Sequence, residues 1–170
     1  MANGAADPHG RTISRSGTAG VVAALVAIVA IDQLTKAWAV SALADGPKHV
    51  IGDFLVFEVS RNSGSAFSRF QGYTPVLAVV AIVIAVFLAR ALRQATDRST
   101  LIGLVLVLGG ALGNLGDRLA RSPGFLRGHV VDFIAVGWWP VFNVADSCIT
   151  VGAILLIVRT LFAPAPAPAP

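Results

Sequence analysis

The chain has 170 residues, of which 55% are hydrophobic and 13% charged, and a net charge of +4. That balance, with a mean hydropathy of +0.76, excludes an ordinary soluble domain: a helix needs about 20 apolar residues to cross a hydrocarbon core of roughly 30 Å, and four such runs occupy most of the sequence. The single cysteine, Cys148, excludes an internal disulfide. Arginines that flank apolar runs are explained by membrane topology and lipid headgroups rather than by nucleic acid.

Residues 1–19 are polar, rich in Gly, Ala and Ser, and carry Arg11 and Arg15; they read as a disordered segment. The first span is predicted from Gly20 to Val40. A cleaved signal peptide competes with it, because Ala42-Leu43-Ala44 resembles a small-residue cleavage site. Asp32 and Lys36 interrupt the run just before that site, which favours a retained helix. His49 to Val59 (HVIGDFLVFEV) is β-branched and aromatic and reads as one or two short strands, suited to resting on lipid or cradling an extended peptide.

The second span is predicted from Gly72 to Ala89, with Arg90 and Arg93 after it, and the third from Thr100 to Leu119. Trp138 and Trp139 fall in the following loop, where interfacial anchoring accounts for them. The fourth span runs from Phe142 to Phe162. The terminal APAPAPAP is a solvated polyproline-II tail with no chemistry of its own. The expected organisation is a single membrane domain over 20–163, with the Ala-Pro tail at 164–170.

Four spans put both termini and the 90–99 connection on one side, and the loops 41–71 and 120–141 on the other. Arg90, Arg93 and Arg98 crowd the short connection. By the positive-inside rule that side, with both termini, is cytoplasmic.

Ionisable groups within a span are expensive and point to function. Asp32 and Lys36 are four apart and share a helix face past the middle of the first span. Asn114, Asp117 and Arg118 close the third span, and Asn143 and Asp146 open the fourth. Asp132 and Asn62 lie in the two outer loops. All of these are expected at the outer leaflet. Each has a plainer reading: a structural Asp32–Lys36 pair, an interfacial Asp117–Arg118 cluster, a capping arrangement at Asn143 and Asp146. Their coincidence at one depth argues for a shared site. Gly109, Gly110, Gly113 and Gly116 are read as close helix packing.

The histidines (His9, His49, His129) are scattered, no HExxH or Cys/His set exists, and no metal or cofactor is expected. Carboxylates remain, with Asp32, Asp117, Asp132 and Asp146 all eligible. Two of them held close share a proton, so that one acts as base on a water while the other polarises a carbonyl.

Five blocks then stand in order: DQLTK (32–36), RNSGSAFS (61–68), GNLGDR (113–118), HVVDFI (129–134) and FNVADS (142–147). Together they resemble the lipoprotein signal peptidase (signal peptidase II) family, over nearly the whole chain outside its two tails. The resemblance implies an all-α membrane protein of four transmembrane helices with a small extracytoplasmic β-sheet and loop region. It implies an aspartic endopeptidase of the bacterial cytoplasmic membrane. The substrate it implies is a diacylglyceryl-modified prolipoprotein, cut just before the lipidated cysteine, and the inhibitor it implies is globomycin. The catalytic pair falls on Asp132 and Asp146; apart from the resemblance, Asp132 is the expected proton carrier because it is the less solvated of the two. Supporting or substrate-binding positions fall on Asp32, Lys36, Asn62, Asn114, Arg118 and Asn143. Arg118 is expected to meet lipid polar groups or to hold Asp117. Ser65 departs from the commoner Ala of the family pattern.

Three rivals fit less well. A proton-coupled transporter wants polar groups through the whole membrane depth, whereas the inner halves of these spans are nearly bare. A lipid transferase using carboxylate-bound Mg²⁺ wants aspartates on consecutive helical turns. A non-enzymatic assembly factor would tolerate loss of Asp132.

Overall fold

A computed structural model describes residues 15–64 and 74–162. The expectations for residues 1–14, the 65–73 stretch and the Ala-Pro tail lie outside these residues, whereas residues 15–19, expected in the disordered segment, instead open the first helix. The described chain runs α1 (Arg15–Ala42), β1 (Lys48–Ile51), β2 (Leu55–Asn62), α2 (Thr74–Gln94), α3 (Arg98–Ala120), β3 (Val130–Val136), β4 (Trp139–Phe142) and α4 (Val144–Leu161).

All four helices are long and apolar enough to cross a membrane. Even α4, the shortest at 18 residues, spans about 27 Å at the usual helical rise. Side chains such as Val26, Leu34, Val83, Phe87 and Ile157 are more than half exposed on their flanks, as a lipid-facing surface requires. The second span continues past its predicted end at Ala89 to Gln94, because Arg90 and Arg93 are good helix formers that need not end the element. Asp97 caps α3 by accepting the Thr100 N–H.

The central helix is α3, which packs against α1, α2 and α4. Its glycines make the closest approach possible. A Cβ on Gly110 would collide with the Ala145 carbonyl, and one on Gly113 would sit 2.7 Å from Asp32 Oδ2. Gly116 has room for a methyl group, with nothing nearer than 3.7 Å. The close-packing reading therefore holds for Gly110 and Gly113 but is not required at Gly116.

The strands form one antiparallel sheet in the order β1-β2-β3-β4, at the end of the bundle where α1 and α3 finish and α2 and α4 begin. The first two strands lie where the sequence places them. The loop expected at 120–141 instead carries β3 and β4. Val130–Val136 is a continuous apolar run around Asp132, and it pairs with β2 so that Ser60 opposes Asp132 and Asn62 opposes Val130. Ala39, Leu43 and Phe133, with Phe57 and Val59, pack the sheet onto the end of α1. Thr74, the buried first residue of α2, donates its hydroxyl to the Ser63 carbonyl at 3.0 Å. That bond ties the start of α2 to the end of β2. At the far tip, the Gly137 N–H donates to the Phe54 carbonyl at 2.8 Å and joins the two hairpin turns.

Candidate active site

The polar residues singled out in the sequence meet at the sheet end of the bundle. Asp132 is placed by β3 and is 2% exposed. Its Oδ2 accepts the Asn62 amide at 3.0 Å, and its Oδ1 accepts the Asn143 amide at 2.6 Å. Asp146 is placed by the first turn of α4. The Asn143 side chain accepts the Asp146 N–H at 2.9 Å, and Asp146 Oδ2 accepts the Asn143 N–H at 3.2 Å, a reciprocal capping box. Asp146 Oδ1 accepts the Asn114 amide at 2.7 Å. One residue, Asn143, thus bonds to both aspartates. The capping arrangement and the shared cluster are the same atoms.

Burial is the main cause that pushes the Asp132 carboxyl up from the usual 3.8 to about 6, since an ion loses solvation there. The hydrogen bond from Asn62 opposes the rise, the nearby Asp146 charge adds to it, and the Asn143 bond and the Lys36 charge pull it back. Asp132 therefore holds a proton at a pH where most carboxylic acids have lost it.

Behind this pair lies a second charged layer. Lys36 Nζ is 2.8 Å from Asp32 Oδ2 and 2.9 Å from Asp117 Oδ2, and all three side chains are fully buried. Its third contact is Asn114 Oδ1 at 2.9 Å. A Lys ammonium has three donors, so all are used. Breaking such a buried network by removing one partner costs about 3–5 kcal/mol, because it strands an uncompensated charge.

Two members of this layer are absent from the sequence-based site. The Gln33 amide donates to Asp32 Oδ2, to the Gly113 carbonyl and to Asp117 Oδ1, between 3.0 and 3.1 Å. Arg121 Nε donates to Asp117 Oδ1 at 2.5 Å. The signal for Arg121 was spacing, since it is four after Asp117 and shares its helix face; Gln33 gave no such signal, because its bonds to Gly113 and Asp117 reach across to another helix. Arg121 also corrects the reading of Arg118 as the residue that holds Asp117. Asp117 is bonded by Lys36, Gln33, Arg121 and the Val131 N–H. The Arg118 guanidinium instead faces Asp132, Asp117 and Asp146 electrostatically. Its Nη1 is buried without a hydrogen-bond partner among the described residues. Among the described residues no group of three or more His, Cys, Asp or Glu is arranged to hold a metal ion.

Comparison with known proteins agrees with this architecture. The family model of signal peptidase (SPase) II matches residues 24–162. The chain is 48% identical over 160 residues to the lipoprotein signal peptidase of Rhodococcus jostii, covering 94% of this chain and 80% of that one. It is 48% identical over 138 residues to the lipoprotein signal peptidase of Mycobacterium tuberculosis, covering 81% and 68% respectively. A solved bacterial membrane enzyme, determined by the in meso method at 1.9 Å, superposes with a TM-score of 0.73 at 30% identity, over 92% of this chain and all of that one. Four membrane-length helices, a four-stranded sheet at one end and a match across nearly the whole described chain carry one conclusion: the protein belongs to the signal peptidase II family.

Proposed function

We propose that the protein is an aspartic endopeptidase that removes the signal peptide from diacylglyceryl-modified prolipoproteins, cleaving just before the lipidated cysteine, with Asp132 and Asp146 as its catalytic dyad. The observation that carries the dyad is Asn143, whose side-chain amide donates to the Asp132 carboxylate and whose backbone N–H donates to the Asp146 carboxylate. Asp146, at a helix N-terminus, is the base. It takes a proton from a water whose oxygen attacks the scissile carbonyl carbon. Protonated Asp132 gives its proton to the carbonyl oxygen as the tetrahedral intermediate forms. Collapse of that intermediate breaks the C–N bond: one of its hydroxyls gives a proton back to Asp132 as the carbonyl re-forms, and Asp146 gives its proton to the departing amine of the cysteine.

The supporting groups have distinct parts in this reading. Asn62 and Asn143 orient Asp132, and Asn114 orients Asp146. Arg118 Nη1, buried and without a partner among the described residues, is the natural donor to a substrate carbonyl. The dyad faces the extracytoplasmic side, both termini are cytoplasmic, and residues 20–163 form one catalytic domain. A lipid-anchored substrate in the outer leaflet then reaches the site laterally.

A gel-shift assay with a diacylglyceryl prolipoprotein in detergent tests this. Wild type cleaves the substrate and is inhibited by globomycin, and a chelator leaves the rate unchanged. Asp132→Asn and Asp146→Asn do not cleave. Wild-type cleavage by either variant removes the dyad assignment.

A further inference from the structure

Two carboxylates outside the dyad each hold the backbone immediately ahead of one of its members. Asp117 Oδ2 accepts the N–H of Val131 at 3.1 Å, and Val131 precedes Asp132. Asp32 Oδ1 accepts the N–H of Ala145 at 3.0 Å, and Ala145 precedes Asp146. One cation lies between these two anchors. Lys36 Nζ bonds Asp32 Oδ2 and Asp117 Oδ2, and all three side chains are fully buried. The third Lys36 donor meets Asn114 Oδ1, and the Asn114 amide nitrogen reaches Asp146 Oδ1.

We propose that Lys36 is a positioning residue: a single ammonium that sets the spacing of Asp132 and Asp146 by holding, through Asp117 and Asp32, the backbone of both segments that bear them. The inference rests on the dyad reading above. With its three donors engaged and no exposed surface, Lys36 has nothing left to offer a substrate. Its role is therefore distinct from substrate binding. The arrangement also explains why the hub is a lysine. Three acceptors from α1 and α3 surround one compact charge, which a planar guanidinium would not satisfy. Asp117 and Asp32 then pass that fixed point to β3 and α4. Catalytic groups must be held within about 0.5 Å of productive geometry, and a misplacement of about 1 Å costs roughly 100-fold in rate.

The test measures kcat and KM for cleavage of a diacylglyceryl prolipoprotein in detergent micelles, with thermal unfolding followed by tryptophan fluorescence. The variants are Asp117→Asn, Lys36→Met with Asp32→Asn, all three changes together, and Asp132→Asn. The paired change removes one charge of each sign and leaves Asp117 with Arg121, so the cluster keeps its net charge. Expected is a roughly 10–100-fold fall in kcat for Asp117→Asn and for the paired variant. KM stays within about twofold in protein that is folded at the assay temperature. Combining all three changes lowers kcat by less than the product of the separate effects, because both act through one hold. The proposal is overturned if the folded variants keep a wild-type kcat, if KM rises alone, or if lost activity merely tracks the unfolded fraction. The Asp132→Asn arm separates the two readings. Cleavage by that variant overturns the dyad and the positioning role with it. Its inactivity beside fully active positioning variants overturns the positioning role alone.

Discussion

At the end of the bundle away from the sheet, Ala85, Leu88, Leu92, Leu104, Val105 and Leu108 pack as an apolar core, and the Arg159–Asp97 ion pair lies partly exposed at its edge. At the sheet end the largest fully buried side chains are Lys36, Val131, Asn143, Asp32 and Asp117, of which only Val131 is apolar. The same helices run through both. In a bilayer, apolar side chains gain little by leaving lipid for one another, so the first region is held by shape. The second is held by directed bonds, each of which fixes an angle as well as a distance. A catalytic pair needs the second kind of order, and the price is a set of buried ions that apolar packing would have avoided.

Breaking the pair itself should have the largest effect. Asp132→Asn or Asp146→Asn should lower kcat roughly 10²–10⁴-fold in the gel-shift assay, whereas Leu92→Ala at the apolar end should leave kcat of the folded protein unchanged. Stability should answer in the opposite sense. The raised pKa means that folded protein binds the Asp132 proton more tightly than unfolded chain does, so stability falls as pH rises from 3.8 to about 6 and stays low above it. Asp132→Asn should therefore stabilise the fold by up to about 3 kcal/mol at pH 8 and by little at pH 4, read from unfolding in detergent. Gain at both pH values would contradict an electrostatic origin.

Where α3 meets α4, Gly110→Ala should cost about 1–3 kcal/mol by overpacking, because the added methyl meets the Ala145 backbone. Gly116→Ala should be neutral or slightly stabilising on the same measurement. A smaller effect is expected at Asn62. Its bond holds the Asp132 carboxyl down, so Asn62→Ala should move the alkaline limb of the pH profile of kcat/KM upward by less than about one unit. At the opposite end, Arg159→Ala should leave both the melting temperature and the rate unchanged within error, since the ion pair is partly exposed and screened by solvent.

The helices were legible because runs of Val, Ile, Leu and Ala as long as Gly72 to Ala89 have few alternatives. Their ends were less so, since Arg90 to Gln94 can end a span or extend it. The strand bearing Asp132 was hidden for a physical reason. Val130 to Phe133 are all buried, so the two-residue alternation that marks a half-solvated strand is missing. The candidate site was visible as a depth: Asp32, Lys36, Asn114, Asp117 and Asn143 all fall near one end of their spans. Its wiring was not. Nothing in the order of residues says that Asp117 bonds Val131 or that Asp32 bonds Ala145, because those partners meet only when β3 and α4 close onto α1 and α3. Asn143 is the intermediate case. Its cap could be read from spacing, but its bond to Asp132 could not.

That residue also makes the site sensitive to a change at a single atom. The Asn143 amide nitrogen lies 2.6 Å from Asp132 Oδ1, 3.2 Å from Asn114 Oδ1 and 3.4 Å from the Val131 carbonyl, while its oxygen faces the Asp146 N–H. Three acceptors surround the nitrogen, so the amide has one usable orientation. Spontaneous deamidation would exchange that nitrogen for an oxygen and set a third carboxylate against the other two. Such an exchange at a single atom would change the charge at the centre of the site.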